Sequence, residues 1–344
     1  MNQIKKVSTR TGGGGRRLSR ISNLEPGVWT KSRAFTMAEI LLSLTIIGVV
    51  AAITLPSLTG NINERTWNTQ RKALYARFSQ AIALMPALNG YGTLTVGTDS
   101  ASAVDTATET FITSGLSQVL KINNICDSEH TQDCGIVASY NALNGSQLAM
   151  PTKMSELNPK MISHDGTAGL PYSQLDTKAA AFETQNGESI LAFYNPNCTS
   201  NMGETANHSV QPKICANFIF DLNGNKGPNT VGKDIGFMTV LYPTDSVVVA
   251  PNVPTQKAST SATQQQAIGI CKDQDPEFRI PNRDELASMF VNQILINGGM
   301  VSAATNYWSA TVYDATRGWT QGMLTGGRLL HNRGNGFIVQ CVKR

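Results

Sequence analysis

The longest stretch in which apolar positions follow one another without a polar face lies near the N-terminus, at residues 35–56. No Asp, Glu, Lys or Arg occurs between Glu39 and Glu64. A helix over residues 35–55 would be about 32 Å long at roughly 1.5 Å per residue, enough to cross the hydrocarbon core of a membrane. The pattern therefore predicts a transmembrane helix at residues 35–56.

After Pro56 the apolar positions move to one face. Leu74, Phe78, Ile82 and Met85 recur at helical spacing between charged residues, which is typical of an amphipathic helix. A proline at position 86 and a glycine-containing segment after it are stop signals. The pattern predicts one N-terminal helix over residues 35–88 whose second half packs on a core, although any amphipathic core helix would show the same spacing.

Strand signals dominate the middle of the chain. An Asn186-Gly187 pair lies between two apolar runs, which predicts a β-hairpin. Two further strands are predicted at residues 215–222 and 235–242. Residues 89–250 are therefore expected to form a globular domain, residues 251–270, rich in Pro, Ser, Thr and Gln, a linker, and residues 271–344 a separate C-terminal domain.

The charge is unevenly distributed. Residues 1–34 carry eight Lys and Arg against one Glu, a net charge of +7, which leaves −3 of the total of +4 for the remainder. Residues 1–34 are interpreted as a basic leader that is cleaved. The rest of the chain gives no electrostatic case for binding nucleic acid.

Residues 34–56 resemble the N-terminal signature of type IV prepilins and of the pseudopilins of type II secretion. The signature combines a basic leader, a cut between Ala34 and Phe35, Glu39 one turn into an apolar helix, and Pro56 at the end of that helix. Gly48 and Pro56 also weaken the helix. Families of this type usually carry Gly at the position of Ala34. The resemblance implies processing at Ala34 and Phe35, and assembly through Glu39, Gly48 and Pro56, with Glu39 pairing with the new amine or a neighbouring copy. A plain signal anchor or secretory signal is the alternative.

The last part of the chain resembles the lectin-like C-terminal domains of bacterial surface and collagen-like proteins. The resemblance is carried by Arg279-Ile280-Pro281, Glu285-Leu286, Tyr307-Trp308-Ser309-Ala310-Thr311, Trp319 and Val339-Gln340-Cys341-Val342. It implies Trp308 and Trp319 as binding candidates, whereas the alternative is that both are core residues. The expected fold class is thus α+β: a long N-terminal pilin helix with a transmembrane first half, packed on an antiparallel sheet, plus a small C-type-lectin-like α+β domain.

The connector between the two predicted strands holds a candidate metal site. Asp221, Asn223 and Asn225 are spaced like the start of a calcium-binding loop, and Asp234 follows. These four residues are the candidate ligands of calcium, and no other cofactor is expected. The alternative is a turn held by the Asn and Asp side chains themselves.

Six cysteines are present, an even number that argues for disulfides in an exported chain. They are Cys126, Cys134, Cys198, Cys215, Cys271 and Cys341. Six cysteines allow 15 pairings. Sequential pairing is the simplest, with a Cys271 to Cys341 bridge closing the C-terminal domain.

These patterns lead to a minor type IV pilin-like filament subunit with an adhesin-like C-terminal domain. The partners expected are other pilin subunits, a prepilin peptidase, the membrane and a surface glycan or matrix ligand. The precursor is expected in the inner membrane, and the mature protein in an extracellular pilus or a periplasmic pseudopilus. A secretion pseudopilin is the first alternative. A membrane-anchored exported enzyme is the second, against which stands the lack of a catalytic constellation in the sequence.

Overall fold

The computed structural model describes residues 36–85, 101–158, 176–195, 213–242, 246–249, 254–274, 276–296, 306–323 and 326–343. The chain divides within its first helix into two units, Met1–Leu58 and Thr59–Arg344. Six α-helices lie in the described residues: α1 (Met37–Leu84), α2 (Ala101–Thr110), α3 (Ser117–Val119), α4 (Met154–Leu157), α5 (Gln264–Gln274) and α6 (Arg283–Val291). A π-helical turn, Phe111–Leu116, joins α2 to α3.

A six-stranded antiparallel sheet forms the centre of the second unit. Its strands are β1 (Ile122–Cys126), β4 (Ala180–Thr184), β5 (Ser189–Tyr194), β6 (Lys213–Asp221), β7 (Ile235–Tyr242) and β8 (Ser246–Val249), in the order β1-β4-β5-β6-β7-β8. A separate two-stranded ribbon consists of β2 (Ser139–Asn141) and β3 (Gln147–Ala149).

The C-terminal part of the chain forms a second sheet. It contains β9 (Pro254–Ala262), β10 (Phe278–Arg279), β11 (Asn306–Val312), β12 (Arg317–Gly322), β13 (Arg328–Asn332) and β14 (Phe337–Lys343). The strand order is β10-β14-β11-β12-β13, and β9 also pairs with β14. The β11–β14 pair is parallel, and the other pairs in this sheet are antiparallel.

The two faces of the first sheet serve two different cores because side chains alternate along a strand. On one face, Phe182 and Phe218 pack with Leu74 and Phe78 of α1. On the other face, the buried residues pack with α6 and with strands of the second sheet. That second core includes Leu191, Phe193, Phe237, Leu286, Met289, Phe290 and Tyr307. The sheet is therefore a layer between the second half of α1 and the C-terminal residues.

Buried polar side chains also join α6 to the first sheet. Asn217 of β6 and Asn292 at the end of α6 exchange amide hydrogen bonds of 2.8 and 3.0 Å. The hydroxyl of Thr239 donates to Asn217 Oδ1 at 2.7 Å and lies 2.7 Å from the hydroxyl of Ser288. All four residues are fully buried, so each polar group needs these partners to offset its desolvation.

The predicted hairpin and strand pair are confirmed. β4 and β5 are antiparallel neighbours on either side of Asn186-Gly187, and Gly187 has a φ of +82° that glycine adopts without strain. The strands predicted at residues 215–222 and 235–242 correspond to β6 and β7, which pair along their whole length.

The expected fold class, however, is wrong. It required an N-terminal pilin helix whose first half crosses a membrane, and no helix in the described part of the chain combines the length and apolar character that such a crossing needs. The helix α1 itself has 48 residues, Met37–Leu84. The other five helices have 3 to 11 residues, and the rest of the fold is mainly antiparallel sheet.

The interpretations that depended on that helix are corrected with it. These are the transmembrane segment at residues 35–56 and the assignment of the chain as a membrane-embedded prepilin or pseudopilin. The disulfide bonds expected of an exported chain are present.

The domain boundaries stay a prediction, but the structure adds detail to the stretch interpreted as a linker. Within residues 251–270, β9 pairs with β14, and α5 begins at Gln264. The sequence of β9 lacks an apolar alternation. Its strand conformation is supplied by the backbone hydrogen bonds of β14, which no local pattern could indicate.

Candidate functional site

The first half of α1 presents apolar side chains on every side. They are Met37, Ile40, Leu41, Leu42, Leu44, Ile46, Ile47, Val49 and Val50, each between 45 and 79 % exposed. Large exposed apolar patches mark surfaces that bind a partner. Residues 37–52, called here the apolar helix segment, are therefore the first candidate functional surface.

Glu39 has a local structural role at the start of this segment. Its Oε2 accepts hydrogen bonds of 2.9 Å from both the backbone amide and the hydroxyl of Thr36, and Glu39 N donates to Thr36 Oγ1 at 3.2 Å. This reciprocal arrangement is a capping box, which satisfies backbone amides that lack a partner in the first turn. The amide of Thr36, followed by its hydroxyl, lowers the pKa of Glu39. Glu39 Oε1 has no partner within the described residues.

The remaining assembly and processing candidates are placed as follows. Ala34 and Phe35 lie outside the described residues. Gly48 lies in α1, and a Cβ atom there would meet no atom within 4 Å. Pro56 also lies within α1, which is continuous from Met37 to Leu84.

Two of the three sequential cysteine pairs are seen directly. Cys126 bonds to Cys134, and Cys271 bonds to Cys341. Cys215 is also disulfide-bonded, whereas Cys198 lies outside the described residues. The Cys271–Cys341 bridge belongs to a small core with Trp308 and Val339, between α5 and the second sheet.

The four candidate calcium ligands differ in exposure. Asp221 and Asp234 are buried, at 3 % and 0 % exposure, Asn223 is half-buried, and Asn225 is exposed. Asp234 is occupied by the loop itself, since its two carboxylate oxygens accept the amides of Asn229 and Thr230 at 2.8 and 2.9 Å. Burial, and to a lesser extent the charge of Asp234, raise the pKa of Asp221 to about 7.

The motif at the start of α6 is structural. Asn282 Oδ1 accepts the amides of Asp284 and Glu285, and Glu285 Oε2 accepts the amide of Asn282 at 2.7 Å. Arg279 binds both carboxylate oxygens of Glu285 at 2.7 and 2.5 Å. The bidentate pair raises the pKa of Arg279 and fixes β10 to the helix start. These residues therefore build the fold and do not face a ligand.

The two tryptophans proposed as binding candidates are core residues, as the alternative interpretation states. Trp308 is fully buried, and its indole donates to the carbonyl of Ala262 at 2.8 Å. Trp319 is 5 % exposed, with the guanidinium of Arg283 5.3 Å from its ring centroid. Neither ring has a free face for a ligand, so any recognition by this part of the chain must use other side chains.

A better candidate lies at the turn between β11 and β12. Among described residues after Leu84, the large apolar side chains that are exposed are Ile268, Val312 and Tyr313. The Tyr313 ring meets Trp319 edge to face at 6.0 Å, and the guanidinium of Arg317 lies 4.8 Å from its centroid. Val312, Tyr313, Asp314 and Arg317 are called the Tyr313 patch.

Hydrogen bonds hold the Tyr313 patch in one conformation. Asp314 Oδ1 accepts the amides of Thr316 and Arg317, and Asp314 Oδ2 accepts Arg317 Nε at 2.7 Å. The Arg317 side chain, followed by the Thr316 amide, lowers the pKa of Asp314, so the pair stays charged. Sequence reasoning missed this patch. Its signal is an aromatic residue directly before an Asp-x-x-Arg turn, where polar residues are the rule.

Compared with models of known protein families and with curated protein sequences, the chain matches none.

Proposed function

We propose that this chain is an exported filament subunit that assembles through the apolar helix segment and presents its C-terminal residues for recognition of a surface glycan or matrix ligand. The observation that carries the proposal is the exposure of apolar side chains on every side of residues 37–52. A helix that is apolar all round is normally buried. The resemblance of residues 34–56 to the signature of filament-forming prepilins supports assembly, and the proposal invokes no membrane-spanning helix.

Copies of the same helix are the occupant that this surface fits best. Its two hydroxyl groups are satisfied within the helix, because the Ser43 hydroxyl donates to the carbonyl of Glu39 at 2.8 Å and the Thr45 hydroxyl to that of Leu41 at 2.7 Å. Small residues at positions 43, 48, 51 and 52 permit close approach of neighbouring helices. Identical subunits that meet head to tail form an open helical polymer when the rotation does not close a ring.

The assembly part of the proposal is tested on the purified full chain in buffer without detergent. Wild type should sediment as a polymer and show fibres by electron microscopy. A Leu44→Asp/Ile47→Asp variant should raise the concentration needed for assembly at least about tenfold, because it places charges in an apolar contact. Thr69→Asp, an exposed change on the same helix, is the matched control. Wild type that stays monomeric at all concentrations would remove the proposal.

The recognition part rests on the Tyr313 patch. Tyr and Arg are enriched among the residues that contribute most to binding, and here both are held rigidly at a strand turn, which lowers the entropy lost on binding. The disulfides fit an exported protein that acts in an oxidising environment.

Tyr313→Ala in the full chain should abolish retention on a glycan and matrix array without changing assembly. Ile268→Ala is the matched control, since Ile268 is 51 % exposed against 48 % for Tyr313. If Tyr313→Ala still binds, or if binding falls equally in the control, the Tyr313 patch is not the recognition site.

A further inference from the structure

The connector between β6 and β7 contains three side-chain oxygens that are buried and have no hydrogen-bond donor among the described residues. They are Asp221 Oδ2, Asn223 Oδ1 and Asn229 Oδ1. A buried acceptor without a partner destabilises the folded state, so three in one short connector require an explanation.

These three side chains belong to one hydrogen-bonded loop. The amide of Asn223 donates to Asp221 Oδ1 at 3.1 Å, and Asn223 Nδ2 donates to the carbonyls of Lys226 and Gly227 at 3.0 and 3.1 Å. The amide of Asn229 donates to Asp234 Oδ2 at 2.8 Å. These bonds use the side-chain nitrogen of Asn223 and the backbone amides of Asn223 and Asn229, and they leave Asp221 Oδ2, Asn223 Oδ1 and Asn229 Oδ1 as acceptors.

The rest of the protein holds this loop in place from two sides. The ribbon strand β2 pairs with it, because Asn141 N donates to the carbonyl of Asn229 at 2.8 Å and Val231 N donates back to Asn141 O at 2.9 Å. From α1, Arg71 donates to the carbonyls of Gly232 and Lys233 at 2.7 and 2.9 Å. A loop fixed in this way keeps its oxygens in position before any ligand arrives.

We propose that Asp221, Asn223 and Asn229 bind a hard divalent cation of the Ca²⁺ class. One carboxylate and two amide oxygens form an oxygen-only ligand set, which such cations prefer, with water completing the coordination. A single water molecule donates at most two hydrogen bonds, so one water would leave one of the three oxygens unsatisfied, whereas one cation satisfies all three.

The cation also removes an electrostatic cost in the loop. Asp221 and Asp234 are both buried carboxylates, and Asp234 is compensated by two backbone amides. Asp221 Oδ1 accepts the amide of Asn223, and Asp221 Oδ2 is the oxygen that the cation would neutralise. The described residues contain no group of three or more His, Cys, Asp or Glu that could hold a metal, so this set is distinguished by its amide oxygens.

This ligand set differs from the one that sequence spacing suggests. Asn225 is exposed, and the carboxylate oxygens of Asp234 are taken by the loop. The proposed ligand set therefore omits Asn225 and Asp234 and includes Asn229. With only three protein ligands, the dissociation constant should lie at about 10⁻⁴–10⁻³ M, the range of weak extracellular calcium sites.

The test is equilibrium dialysis of the chelator-treated full chain against Ca²⁺ up to 10 mM, a readout that does not depend on assembly or on glycan recognition. Wild type should bind one Ca²⁺ per chain. Asp221→Asn and Asn229→Gly should each weaken binding at least about tenfold, which corresponds to 1.4 kcal/mol. Asn225→Ala, a change in the same loop, should leave binding within about twofold.

The Asn229→Gly variant keeps the test decisive if Asp221→Asn fails to fold. Asn229 has a φ of +49°, which glycine adopts without strain, so the loop is retained while the oxygen is removed. Absence of Ca²⁺ binding by wild type would overturn the proposal. So would a loss of binding in Asn225→Ala together with retention in Asn229→Gly, because that result assigns the ligands to the other set.

Discussion

The two halves of α1 contain similar apolar residues but differ in how far those residues are exposed. In the apolar helix segment, Ile47 and Leu44 are more than half exposed, whereas Leu74 and Phe78 in the second half are fully buried. The difference lies in where the apolar positions fall. In the second half they recur on one face, which a sheet can cover, and in the first half they surround the helix, which requires partners on every side.

The second half is also attached by charged side chains that the first half lacks. Arg77 forms an ion pair with Glu188 on the β4–β5 hairpin, and Arg71 donates to the carbonyls of Gly232 and Lys233. The first half has one ionisable residue, Glu39, and that residue caps its own helix. The second half of α1 therefore belongs to the fold of one chain, whereas we propose that the first half contacts other chains.

The largest expected effect comes from truncating a core residue of the second half. Phe78 packs against Phe182 and Phe218 at ring distances of 6.3 and 5.1 Å, so Phe78→Ala should lower the free energy of unfolding by about 3–5 kcal/mol. Ile47→Ala, the matched change in the first half, should alter it by less than about 0.5 kcal/mol. Urea unfolding followed by tryptophan fluorescence measures both. Similar losses in the two variants would remove the distinction between the halves.

A smaller effect is expected from Glu39→Ala. Loss of the capping box should weaken the start of α1 by about 1 kcal/mol, which raises the concentration needed for assembly about fivefold. Unfolding of the second unit should be unchanged. Sedimentation at a series of concentrations gives the first quantity and urea unfolding the second. Assembly equal to that of wild type would show that Glu39 has no part in it.

The smallest effect is the response of assembly to pH. Glu39 has a pKa below its ordinary value of 4.5, so its charged form, and the cap that depends on it, is present above that value and is lost only as pH falls through the lowered pKa. Assembly should therefore be flat from pH 7 to pH 5. Glu39→Gln should abolish any change below pH 4.5. A midpoint between pH 5 and 7 that Glu39→Gln removes would contradict this assignment.

Sequence patterns predicted those parts of the fold that depend on local spacing. The face containing Leu74 and Phe78, the hairpin at Asn186-Gly187 and the strands β6 and β7 all follow from periodicity and turn chemistry. The strand β9 could not be predicted in this way, because its conformation comes from pairing with β14, more than seventy residues away. The prediction of a transmembrane helix was wrong. An absence of charged residues after Glu39 shows only that the segment needs apolar surroundings, and it does not show whether these are lipid or protein.

The candidate sites were harder to predict. The sequence singled out the connector around Asp221, but the ligand set that we propose there differs from the one suggested by spacing. The difference arises because the loop uses the carboxylate oxygens of Asp234 for its own amides. The lectin-like resemblance offered Trp308 and Trp319 as binding candidates beside the alternative that both are core residues, and their burial agrees with that alternative. Tyr313 is accessible because the turn between β11 and β12 carries it to the surface, and exposure cannot be read from residue type.

The central claim, that the apolar helix segment packs against copies of itself, is tested most directly by an environment-sensitive dye. The dye is attached to Ile47→Cys and, as control, to Thr69→Cys, in full-length chains with their disulfides intact and without detergent. The dye at position 47 should shift to shorter emission wavelength over the same concentration range in which the chain begins to sediment as a polymer, while the dye at position 69 stays unchanged. A polymer in which position 47 keeps the emission of a water-exposed dye would contradict the account.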